Sequence, residues 1–160
     1  MTVATAADRA RVEELLGRAP RAAFTVAVRR ADGDPVVIRN TPFLDDGTPL
    51  PTSYWLVDPD LHRAVAGLEA DGGVRAAQAE VDADALAAAH TRYAAERDER
   101  IPADHPGPRP FGGVGGTRMG VKCLHAHYAY WLAGGDDPVG RWVADRLAAD
   151  AVATTEARPS

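Results

Sequence analysis

The sequence predicts an α+β fold: a small antiparallel sheet of about three strands, opened by an N-terminal hairpin and packed with four to five helices. Three observations carry this. Residues alternating with a period of two occur early, helical periods fill the later chain, and neither internal repeats nor coiled-coil heptads occur. Strands followed by helices favour antiparallel pairing over alternating parallel units. A length of 160 residues suits one core, so a single domain is expected over 1–153, with a disordered tail at 154–160.

Val12, Leu15 and Leu16 fall at helical spacing among charged neighbours and Gly17 supplies a stop, which predicts a short helix over Ala6 to Leu16. Phe24, Val26 and Val28 alternate with Thr25, Ala27 and Arg29. After Asp32-Gly33-Asp34 comes the β-branched run Val36 to Ile38, so the pair reads as a hairpin. Thr41 to Thr52, with three prolines, is a loop, and Ser53 to Val57 is a third strand. Asp58-Pro59 offers a cap and a first-turn proline for a helix from Pro59 to Ala70, closed by Gly72-Gly73. A longer helix is predicted from Asp82 to about Arg100. Ile101 to Phe111, with four prolines, bridges into a glycine-rich run. A helical pattern resumes at Val121 and stops at Gly134-Gly135, and Asp136-Asp137-Pro138 begins a last helix ending near Asp150.

The net charge of −5 argues against a general nucleic-acid binder, which needs surplus basic groups to displace counterions. No apolar run reaches the roughly 18 residues of a membrane span, so no membrane insertion is expected. One cysteine forms no internal disulfide and no leader pattern opens the chain, which makes the cytoplasm the expected compartment.

Gly112 to Gly134 holds the only lysine, Lys122, the only cysteine, Cys123, and two of the five histidines, directly after five closely spaced glycines. A glycine-rich loop leading into a helix can hold an anion on its backbone N–H groups. Gly115, Gly116, Thr117, Arg118 and Lys122 are therefore the candidate ligand-binding residues, for an anionic small molecule. Neither the Walker triplet nor the dinucleotide fingerprint is present. A tight loop that only lets a helix pack closely on the sheet accounts for the same glycines.

On a helix, Leu124, Tyr128 and Trp131 form the inward face, while Cys123 and His127 lie one turn apart on its flank. A thiol near a helix N-terminus, beside Lys122 and an imidazole, has a lowered pKa, which makes Cys123 and His127 candidate catalytic residues. On a strand, Cys123, His125 and His127 would instead share one face fit for zinc or another divalent transition metal. A helical metal site would need ligands from elsewhere, among them His62, His90 or His105. A packed polar network without chemistry is the third reading. Tyr54-Trp55 reads as core before stacking platform, and Asp136-Asp137 as helix cap before cation site.

With VKCLHAHYAYWLAGGDDPVGRWV (Val121 to Val143), the upstream GGVGGTRMG and the stretch Pro51 to Glu69, the chain resembles a bacterial, largely actinobacterial, family of uncharacterised proteins classed as a domain of unknown function. The similarity spans nearly the full chain. The resemblance implies no established reaction. It implies gene neighbours that encode a septum-forming membrane protein and an exopolyphosphatase, hence a link to the cell envelope or phosphate metabolism. Family members often carry cysteine where this chain has Asp58, a departure that disfavours a dithiol mechanism and leaves Asp58 as a candidate metal ligand.

The preferred functional reading is an anion- or metal-binding pocket built from loop 112–120 and the Lys122 to His127 turn. The rivals are a thiol-dependent hydrolase or transferase using Cys123 and His127, and a non-catalytic adaptor for a cell-division protein.

Overall fold

Hydrophobic alternation along the first strands sets up a sheet with two buried faces. The computed structural model describes residues 1–157. It contains β1 (Thr2–Val3), α1 (Ala6–Leu16), β2 (Phe24–Arg29), β3 (Pro35–Asn40), β4 (Tyr54–Leu56), α2 (Pro59–Ala70), α3 (Gly73–Glu80), α4 (Ala83–Asp98), a 3₁₀ turn (Val114–Gly116), α5 (Leu124–Leu132) and α6 (Pro138–Ala157). The strands pair antiparallel in the order β1-β2-β3-β4, which leaves β4 at an edge. The α+β class and the hairpin over Asp32-Gly33 are as the sequence predicts.

Period two sorts the side chains. Val26 and Ile38 join Phe24, Val57 and Val12 of α1 in one cluster, while Val37, Tyr54 and Leu56 face the other side, toward α2, α4, α5 and α6. A register shift between Val26 and Val28 moves Ala27 and Val28 together onto that larger core. The molecule is thus three-layered, with α1 on one face of the sheet and the later helices on the other. No helix among the described residues is long and apolar enough to cross a membrane.

Three features depart from the sequence-based expectation. β1 is only two residues long and gives no periodic signal. Gly73–Glu80 forms α3, where Gly72-Gly73 predicts only a stop: Gly72 takes the left-handed turn and Ala77 seats the new helix in the core. Helix α6 runs to Ala157, past the end expected near Asp150, and residues 158–160 of the expected tail lie outside the described residues.

Helix α4 pins the layers through three polar side chains on one face. His90, Tyr93 and Arg97, spaced by three and four residues, are all buried. The Tyr93 hydroxyl accepts from the amides of Ser53 (2.6 Å) and Tyr54 (3.2 Å), which fixes the start of β4. Arg97 donates to the carbonyls of Gly112 (2.8 Å) and Pro51 (3.2 Å), tying the glycine-rich loop to the segment before β4.

At the other end, Thr5 and Asp8 form a capping box for α1, and Arg29 of β2 holds both Asp8 oxygens at 2.8 Å. Hydrogen bonds from Arg29 and the Thr5 amide outweigh burial and hold the Asp8 carboxyl far below its usual 3.8. A carboxylate with a depressed folded pKa contributes stability above its unfolded pKa and loses it as pH falls toward the folded value. Asp8→Asn is therefore expected to lower the urea midpoint at pH 7, by a gap that narrows progressively as pH falls below about 4. A gap at pH 2 as large as that at pH 7 would show that the ion pair contributes nothing.

Candidate functional site

The glycine-rich loop is shaped by close approach to α4. A Cβ on Gly113 would lie 2.6 Å from the Cβ and Nδ1 of His90, so only glycine lets the loop reach this helix. The Val114 amide donates to His90 Nδ1 (3.1 Å), so the ring proton sits on Nε2 and bonds the Gly120 carbonyl (2.8 Å). Burial pushes this imidazole below its usual range, which keeps it neutral. Both ends of the loop are therefore fastened by one histidine, and Gly115 is delivered to the open edge of β4.

A cavity of about 370 Å³ lies along that edge. Leu16 and Arg18 reach it from the end of α1, Tyr54, Trp55 and Leu56 from β4, and His62 from α2. Gly115, Lys122, Cys123 and His125 close it from the loop and from the start of α5. Gly115 has φ of +69°, which favours glycine, while a Cβ there would make only ordinary contact with Lys122 Cβ at 3.6 Å. Arg18 lies over the Trp55 ring at 5.7 Å. Among the described residues, neither Arg18 nor Lys122 has a carboxylate at ion-pair distance, although Arg11, Arg29, Arg30 and Arg146 all do.

Helix α5 starts at Leu124, and Cys123 is its extended N-cap, with φ of −150°. The capping acceptor comes from another helix: Glu69 of α2 receives the Leu124 amide (2.7 Å) and also bonds His125 Nδ1 (2.9 Å). His125 Nε2 faces the His62 carbonyl at 3.2 Å, and the two imidazoles lie 4.3 Å apart, tilted by 37°. Both partners of His125 are acceptors, so only the doubly protonated ring donates to both. Partial burial and then His125 push the His62 imidazole downward.

The thiol differs from the activated nucleophile expected. Burial pushes Cys123 above its usual range. The amide of Ala126 opposes this, Glu69 adds to it, and Lys122 and the His125 amide oppose it less. Alkylation at pH 7 is accordingly expected to be slower than that of a free cysteine and to accelerate above pH 9. Rapid labelling at pH 6, followed by intact mass, would contradict this.

His127 does not join Cys123 at the cavity. Because α5 is apolar on nearly every side, it is buried almost all round, and the flank expected to be open is covered by α6. Tyr130 is fully buried and Trp131, expected inward, is only half-buried. His127 Nδ1 meets Asp137 Oδ2 at 2.7 Å inside the core, and the other oxygen of Asp137 accepts the amides of Val139 and Gly140. Asp136-Asp137 thus supplies a helix cap, as the sequence predicts.

The remaining candidates are dispersed. Asp58 is buried as the N-cap of α2, accepting from Asp60 and Leu61 and paired with Arg30. Burial would raise its carboxyl, but Arg30 and the two amides outweigh that and hold it below the usual range. Arg118 stacks on Phe111 at 3.9 Å and borders a different cleft. Thr117 donates to the Met119 carbonyl (2.9 Å), and Gly116 packs by Pro51. The proposed metal set of Cys123, His125, His127 and Asp58 is not brought together. Among the described residues, no three His, Cys, Asp or Glu converge as metal ligands.

Arg18 is the site residue that sequence reasoning left out, whereas His62 entered only as a possible metal ligand and Trp55 as core before stacking platform. Arg18 follows a helix stop with no motif around it, and only the fold carries it to Lys122. Residues 26–145 match the model of a family described as a protein of unknown function, DUF501. No curated protein and no solved structure matches.

Proposed function

The chain belongs to the DUF501 family, and from that premise we propose that it binds a small anionic molecule with an apolar portion in the cavity at the β4 edge. The observation that carries the reading is the placement of Arg18 and Lys122, two cations without carboxylate partners, on one hollow of about 370 Å³. That volume lies within the roughly 300–1,000 Å³ of small-molecule pockets, and Leu16, Trp55 and Leu56 supply its apolar wall. An incoming carboxylate or phosphate gains charge-assisted hydrogen bonds from both cations, while a planar body rests against Trp55.

Binding is better supported than catalysis. The thiol is held protonated, His125 is committed to Glu69 and the His62 carbonyl, and His127 is engaged with Asp137 in the core. Cys123 serves as a built-in reporter. Phenyl phosphate, an aryl anion, is expected to protect Cys123 from alkylation at pH 9 in a saturable manner. Arg18→Gln and Lys122→Gln should each weaken protection about tenfold, as expected for loss of a charged hydrogen bond. Protection that ignores both substitutions, or none at millimolar phenyl phosphate, would refute the proposal.

A further inference from the structure

On the opposite side of Tyr54 the chain builds a second polar hollow, independent of the first. We propose that the cleft of about 400 Å³ between β3, the end of α4 and the α5–α6 turn is a second ligand site, in which Arg39 and Arg100 clamp the carboxylate of a small organic acid.

The two arginines are held by backbone carbonyls and not by direct ion pairs. Arg100 donates to the Asn40 carbonyl (2.8 Å) and Arg39 reaches the Glu96 carbonyl at 3.4 Å. Among the described residues, neither has a carboxylate at ion-pair distance. Arg39 Nε is buried without a hydrogen-bond partner, a donor left open in a protein where buried polar groups are normally satisfied. Its guanidinium lies 5.4 Å from the centre of the Tyr54 ring. Burial pushes Arg100 downward, and repulsion from the nearby Arg39 adds to it. A bound oxyanion relieves that repulsion.

The acidic residues decide the ligand's charge. Glu96 accepts from the Tyr130 hydroxyl at 3.1 Å, and it lines the cleft together with Glu99. Two carboxylates beside two guanidiniums leave no net surplus for a dianion, so a singly charged carboxylate fits better than a phosphate. The same two glutamates can receive a hydroxyl or amino group on the ligand, which places hydroxy or amino acids within the class. No residue of this cleft other than Tyr54 lines the first cavity, so the two sites are tested separately.

The test follows the arginine Nε–H signals by ¹H–¹⁵N NMR while the full chain is titrated with sodium lactate, inorganic phosphate or sodium chloride at matched ionic strength. A saturable shift of the Arg39 signal with lactate is expected, weakened at least tenfold by Arg100→Gln and unchanged by Lys122→Gln. Arg100→Lys keeps the charge but loses the planar fork, guards against loss of the fold, and is expected to weaken binding several-fold. Shifts that never saturate, that chloride reproduces, or that persist unaltered in both Arg100 variants would overturn the site. Tighter binding of phosphate than lactate would overturn the carboxylate assignment. Loss of Cys123 protection by phenyl phosphate without change here would count against the first cavity alone.

Discussion

Asp137→Ala is expected to lower the unfolding free energy by about 3–5 kcal/mol, the cost of leaving several buried hydrogen-bonding groups without their shared partner. Asp137 is fully buried and joins two helices with one carboxylate: Oδ2 faces His127 of α5 at 2.7 Å, and Oδ1 accepts the Val139 and Gly140 amides at 2.9 and 3.0 Å. Alanine leaves the imidazole and two amides of the first α6 turn without their acceptor, in a place closed to water. For a chain of this length the melting temperature should fall by roughly 10 °C. Asp137→Asn keeps an oxygen for the amides and should recover about half of the loss. A change under about 1 kcal/mol in urea denaturation of the alanine variant would show that the pair does not hold α5 on α6.

Gly113→Ala is expected to cost about 1–3 kcal/mol and to disturb the first cavity as well as the fold. The added Cβ would meet His90 at its Cβ and Nδ1 (2.6 Å) and at its Cα (2.7 Å), and a backbone atom cannot swing aside. The loop must then retreat from α4, which stretches the Val114 to His90 hydrogen bond and draws Gly115 away from Lys122. Faster alkylation of Cys123, measured beside thermal stability, is the expected consequence, because a looser wall admits reagent and water. Unchanged labelling together with lowered stability would show that loop position and cavity shape are uncoupled.

Most elements were legible because their signals are local. The bounds of α1 and α2 follow from a stop glycine and from Asp58-Pro59, and the hairpin follows from alternation around Asp32-Gly33. Helix α3 was hidden because the glycine pair that ends α2 also opens it. The segment of the candidate site was legible as well: the run of glycines and the only lysine and cysteine point to the loop and helix start where Gly115, Lys122 and Cys123 meet a cavity. Its partners were not. The helical wheel assumes one buried stripe, and α5 lies in the centre of the helical layer, so the wheel placed His127 beside Cys123 while packing drew it to Asp137. Glu69 takes over capping from a distant part of the chain, which starts α5 one residue after Cys123 and removes the thiol from the helix proper. Arg18 enters through topology alone, and topology brings His62 to the cavity wall beside His125 instead of to a metal set.

The most direct test of anion binding at the β4 edge is a ¹H–¹⁵N NMR titration of the whole chain with phenyl phosphate. Saturable shifts at the Trp55 indole and at the amides of Gly115 and Lys122 to Ala126, reduced together in Arg18→Gln and Lys122→Gln, are the predicted result. Shifts confined to other surfaces, or none while the protein stays folded, would contradict it.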